Sequence, residues 1–225
     1  FTPCRRLYLL LPLLAAAVGC AHARADAGDS FAIHVIDEAT GRGVPLVQLE
    51  TVNTIVLVTD SAGWIAFNEP GLMDREVYFS VFSHGYTLPK DGFGFRGVKL
   101  TTKRGGSATI KLKRTNIAER LYRVTGQGIY RDSVLLGKDV PLKEPVLTGG
   151  VLGQDSILTV KYAGKLYWFW GDTNRADYPL GNFSMSGATS ELPSEVGLDP
   201  DKGVDLKYFV DEKGFSRGMA PLPRP

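Results

Sequence analysis

Between Phe31 and Leu112 the chain breaks into seven short apolar segments separated by turn signals, which limits its folds more than any other feature. Side chains alternate between the two faces of a strand, so a period of two cannot keep an apolar stripe on a helix. The segments read as strands at Phe31–Asp37, Pro45–Thr51, Ile55–Thr59, Trp64–Phe67, Glu76–Ser83, Phe93–Leu100 and Ser107–Leu112. Thr40-Gly-Arg-Gly43, Asp60-Ser-Ala-Gly63 and Arg104-Gly-Gly106 supply turns between them. Seven strands in about 80 residues suit a β-sandwich near the size of an immunoglobulin-like domain. Asn116–Arg123 reads as one short helical turn at the junction with the second half of the chain.

Within this half, Asp37-Glu-Ala-Thr-Gly41, Val44-Pro-Leu-Val47, Thr59-Asp-Ser-Ala-Gly63 and Gly85-Tyr86 occur in a fixed order. That order resembles carboxypeptidase-regulatory-like, transthyretin-like modules, in which a hairpin leads to a TD-x-x-G turn and later a GY pair. The resemblance covers about residues 31–113. It implies a β-sandwich that serves as a non-catalytic spacer or interaction domain.

The second half, residues 115–225, is denser in glycine and aromatics. Strands are expected at Ile129–Leu135, Ile157–Tyr162, Leu166–Trp170 and Leu206–Val210, with hairpin turns at Tyr162-Ala-Gly-Lys165 and Asp211-Glu-Lys-Gly214. Trp168 and Trp170 share one face of their strand while Tyr167 and Phe169 take the other. A strand apolar on both sides is better explained as buried between layers than as a sugar-stacking platform.

Gly153-Gln-Asp-Ser156 at a strand start, followed by Tyr167-Trp-Phe-Trp-Gly-Asp-Thr173, resembles the opening of glycosidase-like five-bladed β-propellers over about residues 126–215. The fold class expected is therefore all-β, a transthyretin-like sandwich followed by an incomplete propeller-like domain. A blade takes about four strands, so this half holds at most two. The family's set of three carboxylates at its usual spacing is not present. In such enzymes an Asp on an innermost first-blade strand faces the central pocket. The resemblance thus implies that Asp155 acts as base or nucleophile in a two-carboxylate mechanism. Its bland alternative is a turn Asp that caps its own backbone.

Three further residues are candidates for substrate binding. Asp172 can bind a sugar hydroxyl, or simply end a strand. Arg175 can present its planar fork to a glycan carboxylate or sulfate, or pair at the surface with Asp172 or Asp177. Asn182, with Ser186 and Thr189, lies in the segment Tyr178–Ser190, which reads as a long loop of small and hydroxyl residues. Such a loop either forms a polyol-binding rim or merely connects.

Other chemistries find no pattern here. The three histidines are scattered, and Asp199-Pro-Asp-Lys-Gly203 with Asp205 lacks the EF-hand order of oxygens. There is no phosphate-binding G-x-x-x-x-G-K-[ST] loop, no G-x-S-x-G elbow, and Gly126-Gln-Gly128 lacks a third glycine. No metal or cofactor is expected.

The N-terminus carries Arg5-Arg6, an apolar run Leu7–Val18 and Gly19-Cys20, the layout of a secretory signal over residues 1–25. The run is too short for the roughly 20 helical residues that cross a bilayer. Ala17-Val-Gly-Cys20 resembles a bacterial lipobox that would lipidate Cys20, although Ala17 stands where leucine is usual. Ordinary cleavage after Ala23 or Ala25 is the alternative. Both cysteines, Cys4 and Cys20, lie in this leader, so the mature domains rely on packed cores rather than disulfides. Losing Arg5 and Arg6 brings the 26 basic residues to 24, equal to the 24 acidic ones. That balance argues against nucleic acid or an acidic membrane as partner.

The chain begins with Phe1 and ends in Met219-Ala-Pro-Leu-Pro-Arg-Pro225, so it is expected to be part of a longer protein whose later blades close the ring. The expected function is binding or hydrolysis of extracellular carbohydrate by an exported protein, in the periplasm, outer membrane or cell surface. It would touch a membrane only through a lipid at Cys20. The alternative is a non-catalytic envelope adhesion or structural protein.

Overall fold

The computed structural model describes residues 27–219, apart from positions 126, 127, 177, 183 and 196 and the side chains of 178–182. Residues 1–25, where a leader with Cys20 and its cleavage sites is expected, lie outside the described residues, as does Asp177.

The chain is predominantly β. Eight strands make up its first half: β1 (Phe31–Asp37), β2 (Gln48–Thr51), β3 (Val56–Val58), β4 (Trp64–Phe67), β5 (Glu76–Phe82), β6 (Tyr86–Thr87), β7 (Gly97–Thr101) and β8 (Ser107–Arg114). They form two sheets, β4-β1-β8-β6 and β3-β2-β5-β7. Every pairing is antiparallel except β1 with β8, which run parallel from Ala32 opposite Ser107 to Asp37 opposite Leu112. Alternate residues Phe31, Ile33 and Val35 of β1 join Ile65, Phe67, Ile110 and Leu112 from one sheet. Leu49, Val77, Phe79 and Val81 meet them from the other, in a single core. Phe67 and Phe79 touch edge to face, with centroids 5.3 Å apart. The arrangement is that of a β-sandwich.

Two of the expected strands begin late, for local reasons. Pro45 has no N–H to give a ladder, and Leu46 takes a φ of 58°, so β2 starts at Gln48 rather than Pro45. Phe93 and Phe95 are exposed in a turn whose backbone N–H groups both donate to Asp91 Oδ1, so β7 starts only at Gly97. The expected turn at Asn116–Arg123 is irregular backbone instead. Arg120 anchors it: its guanidinium donates to the carbonyls of Pro45 and His84, both at 2.6 Å, and its N–H donates to Tyr86 Oη.

Residues 129–135, expected as a strand, contain instead the helical turn α1 (Arg131–Leu135). Tertiary hydrogen bonds override the local β preference. Strand β4 is a sheet edge, and its Ala66 N–H donates to Asp132 Oδ1 at 2.8 Å. In return the buried Asp60, in the turn before β4, accepts from both the N–H and the hydroxyl of Ser133, each at 2.7 Å. Ser61 N–H adds a bond to the Ile129 carbonyl. Thus α1 covers an edge that would otherwise offer unpaired donors and acceptors to another chain.

Among its described residues the second half has seven strands: β9 (Gly153–Gln154), β10 (Ile157–Tyr162), β11 (Lys165–Trp170), β12 (Thr173–Arg175), β13 (Tyr178–Asn182), β14 (Ser186–Ser190) and β15 (Lys207–Tyr208). They build an antiparallel sheet β10-β11-β14-β15 and a three-stranded sheet β13-β12-β9. The segment Tyr178–Ser190 is therefore two strands, not a loop. Its small residues suit β14, where Ser186, Gly187 and Ala188 are buried between β11 and β15. Trp168 and Trp170 are buried in a second core with Val151, Ala188, Leu206 and Tyr208. Their rings stack 6.1 Å apart, and Trp168 Nε1 donates to Ser190 Oγ.

On the solvent side of β1 and β4, His34 stacks on Trp64 with centroids 3.9 Å apart and lies within hydrogen-bond distance of the Ala62 carbonyl. Lys138 Nζ sits 4.6 Å from the Trp64 ring. Burial lowers the His34 pKa below its ordinary 6.5, outweighing the hydrogen bond to Ala62, and Lys138 adds to the lowering. The unfolded chain therefore takes up this proton first as pH falls. The stability His34 contributes is present above 6.5 and is lost as pH falls through that value toward the folded pKa. The gap in urea midpoint between the protein and His34→Phe is expected to shrink from pH 7.5 to pH 5. A gap that stays constant would rule this out.

Candidate functional site

Strands β9 and β12 place the first two candidates together. Gln154 pairs with Thr173 across the ladder, and one step outward the Asp155 N–H points to the Asp172 carbonyl at 3.4 Å. Asp155 and Asp172 thus stand opposite each other, Asp155 exposed and Asp172 likewise open to solvent. Just beyond, Ser156 takes a φ of 50° and the chain turns from the three-stranded sheet into β10. Gly171 N–H bonds to the Asp155 carbonyl at 3.0 Å. A side chain at Gly171 would start 3.1 Å from Asp155 Oδ1, so glycine there leaves room for the carboxylate.

Under this rim lies a buried network that the sequence did not reveal. Gln154 Nε2 donates to Ser186 Oγ at 2.7 Å, Ser186 and Thr173 hydroxyls meet at 2.6 Å, and Tyr208 Oη donates to Gln154 Oε1 at 2.7 Å. Burial pushes the Tyr208 phenol far above its ordinary range, which keeps it a donor. The network joins β9 and β12 of one sheet to β14 and β15 of the other. A satisfied buried network is rigid, so the backbone carrying Asp155 and Asp172 stands on a fixed base. Ser186 and Thr189, read as rim hydroxyls, are both buried in this structure. Gln154 adjoins a candidate residue in the chain, but only the pairing of two sheets brings it to Tyr208.

Arg175 ends β12 away from the two aspartates. Its guanidinium lies over the Phe215 ring, 4.5 Å from the centroid. Beside it opens a cleft of about 810 Å³ lined by Arg175, Asp211, Glu212, Lys213, Phe215 and Arg217, in which neither Asp155 nor Asp172 takes part. The hairpin over this cleft is stapled by Asp211 Oδ1, which accepts from the N–H groups of Lys213 and Phe215 at 2.9 and 3.0 Å. Asn182 is paired through its backbone register with Thr173, while its side chain lies outside the described residues.

What the Asp155–Asp172 pair offers is a set of carboxylate oxygens able to accept hydrogen bonds from neighbouring hydroxyls, or to take a proton. Asp199, part of the calcium-like run, instead caps its own turn, accepting from Asp201 N–H at 2.8 Å. Among the described residues no three His, Cys, Asp or Glu gather where a metal could sit, and no helix is long and apolar enough to cross a membrane. No protein-family model, curated protein or solved structure matches this chain.

Proposed function

We propose that this chain belongs to an exported protein that binds or hydrolyses extracellular carbohydrate through its second half. The observation that carries this reading is the Asp155–Asp172 pair held on the buried Gln154–Thr173–Ser186–Tyr208 network. Asp155 is the base or nucleophile, Asp172 a hydroxyl acceptor, and Arg175 and Asn182 further binding groups. The leader, with Cys20 as its lipidation site, would deliver the protein to the periplasm, outer membrane or cell surface.

The finer fold readings go with this proposal. The parallel β1–β8 pair within a two-sheet sandwich supports a transthyretin-like first domain. The sheet β10-β11-β14-β15 has the strand number of one propeller blade. Its face away from Trp168 and Trp170 carries Leu158, Val160 and Tyr162, all exposed, beside Tyr167 and Phe169. A sheet apolar on both faces suits a stack of sheets.

Turnover of a glycan panel by the intact protein, against Asp155→Asn, tests the assignment. General-base or nucleophile loss should cut turnover by about 10²-fold or more with the thermal midpoint kept. Unchanged turnover would remove Asp155 from the mechanism. The openness of both aspartates to solvent favours a second reading, a non-catalytic envelope adhesin. Glycan binding without turnover would support it, and no glycan binding at all would point to a purely structural role.

A further inference from the structure

We propose that β10 is a dimerisation edge, on which a second copy of this chain pairs antiparallel and continues the sheet β10-β11-β14-β15 across two molecules. The inference stands apart from the carbohydrate reading. Strand β10 ends its sheet, and among the described residues no strand pairs with its outer side. At six residues it is the longest edge strand described, and every one of them is exposed. Ile157, Leu158, Val160 and Tyr162 are each at least 51 % exposed. Edge strands of folded proteins are commonly kept short, charged, broken by proline or covered. Here β4 is covered by α1, whereas β10 carries a single charge, Lys161, and no proline.

The hairpin after β10 fixes which backbone groups face outward. Ala163 and Gly164 take φ values of 45° and 76°, as in a type I′ turn, so the flanking Tyr162 and Lys165 form a hydrogen-bonded pair. Bonding alternates along an antiparallel ladder, so Val160 and Leu158 also bond to β11. The Gly171 N–H, 3.2 Å from the Ser156 carbonyl, keeps the same phase. The N–H and C=O groups of Ile157, Thr159 and Lys161 therefore point away from β11, a row that another extended strand can meet.

This sequence suits pairing with itself. In a two-fold ladder centred on Thr159, that residue faces its own copy, Leu158 faces Val160 and Ile157 faces Lys161. Facing threonines and apolar pairs are favourable cross-strand neighbours. The two lysines then stand four residues apart along the ladder, about 14 Å at strand spacing. A ladder centred on Lys161 would instead set like charges directly opposite each other, which is destabilising. Pairing uses only the edge and leaves both faces of β10 free to pack.

Sedimentation velocity of the intact protein across a micromolar concentration series is expected to show a monomer–dimer equilibrium. Thr159→Pro removes an outward N–H that β11 does not use, and Ile157→Lys sets a charge against the partner's Lys161. Each should raise the dimer dissociation constant at least about tenfold with the circular dichroism spectrum kept. If Thr159→Pro fails to fold, Ile157→Lys, at an exposed position, keeps the test. Thr159→Cys should cross-link under mild oxidation, since Cα atoms of a hydrogen-bonded pair lie about 5.5 Å apart, within disulfide reach. Lys161→Cys and the parent protein should not. A protein monomeric throughout the series would overturn the inference, and slow amide exchange at Thr159 in that monomer would assign the edge to some other strand. A dimer indifferent to both edge variants, or one cross-linked through Lys161→Cys rather than Thr159→Cys, would overturn it as well.

Discussion

Asp60→Ala should cost about 3–5 kcal/mol of stability and loosen α1 from the sandwich, the range seen when a buried charge network loses one member. Asp60 is almost wholly buried, and its two oxygens divide their work. One accepts from the Ala62 and Trp64 N–H groups at 3.0 and 3.1 Å, closing the turn into β4. The other accepts from Ser133 twice. Deleting the carboxylate strands three N–H groups and a hydroxyl, and each buried orphan costs about 1–3 kcal/mol before relaxation or water entry. Ser133→Ala removes one donor only and should cost about 1 kcal/mol. Urea unfolding gives both values. Limited proteolysis supplies the second readout, with Asp60→Ala cut between residues 129 and 137 and the parent chain resistant. A loss below about 1 kcal/mol in Asp60→Ala would show that this carboxylate is not what holds α1 in place.

Gly43→Ala should be costlier than an ordinary surface change, above about 4 kcal/mol, or should prevent folding. Two backbones cross at this point. A Cβ on Gly43 would lie 1.9 Å from the Ala62 carbonyl oxygen and 2.4 Å from its carbon, and neither is a side chain that can turn away. Gly63 on the crossing strand is no freer: it holds a φ of 78°, with the Val35 oxygen 2.4 Å from where its Cβ would be. The crossing lets Val35 N–H bond to Gly63 and Val44 N–H bond to Val35, so moving it apart breaks sandwich hydrogen bonds as well. Gly41→Ala is the control. Its φ is 73°, yet a Cβ there meets nothing within 4 Å, so only the left-handed backbone penalty of about 1–2 kcal/mol applies. Thermal midpoints of the two variants should therefore differ widely. Equal midpoints would mean that the crossing yields more easily than its geometry implies.

These two sites also show where sequence reading stops. Gly41 and Gly63 announce turns by type and neighbours, and both turns are present. Gly43 sits in the same tetrapeptide as Gly41 with nothing to mark it as the tighter position, because its constraint comes from Ala62, nineteen residues away. Asp60 likewise reads as a turn residue, and half of its work is that. Its bond to Ser133 spans 73 positions and has no local signal.

The candidate site divides the same way. Asp155 and Asp172 stand out as residues at strand ends, and their pairing opposite one another follows once β9 meets β12. The hydroxyl network beneath them did not stand out, since Ser186 and Tyr208 belong to another sheet. Nor did Lys213, Phe215 and Arg217, which a hairpin nearly forty residues downstream folds back beside Arg175.

The sequence alone determined the β character of the chain and the strands whose alternation is strongest. Phe31–Asp37, Trp64–Phe67 and Ile157–Tyr162 span the same residues in the structure as in the pattern. Periodicity reports which faces of a segment are apolar, and that suffices for Phe31–Asp37 and Trp64–Phe67, whose alternate residues are buried. Only the tertiary structure decided that β1 lies parallel to β8, that 131–135 coils into a helical turn, and that 178–190 forms two strands. Each of these rests on hydrogen bonds or close packing with residues distant in the chain, and at those places long-range partners outweigh a local preference worth a few tenths of a kcal/mol per residue.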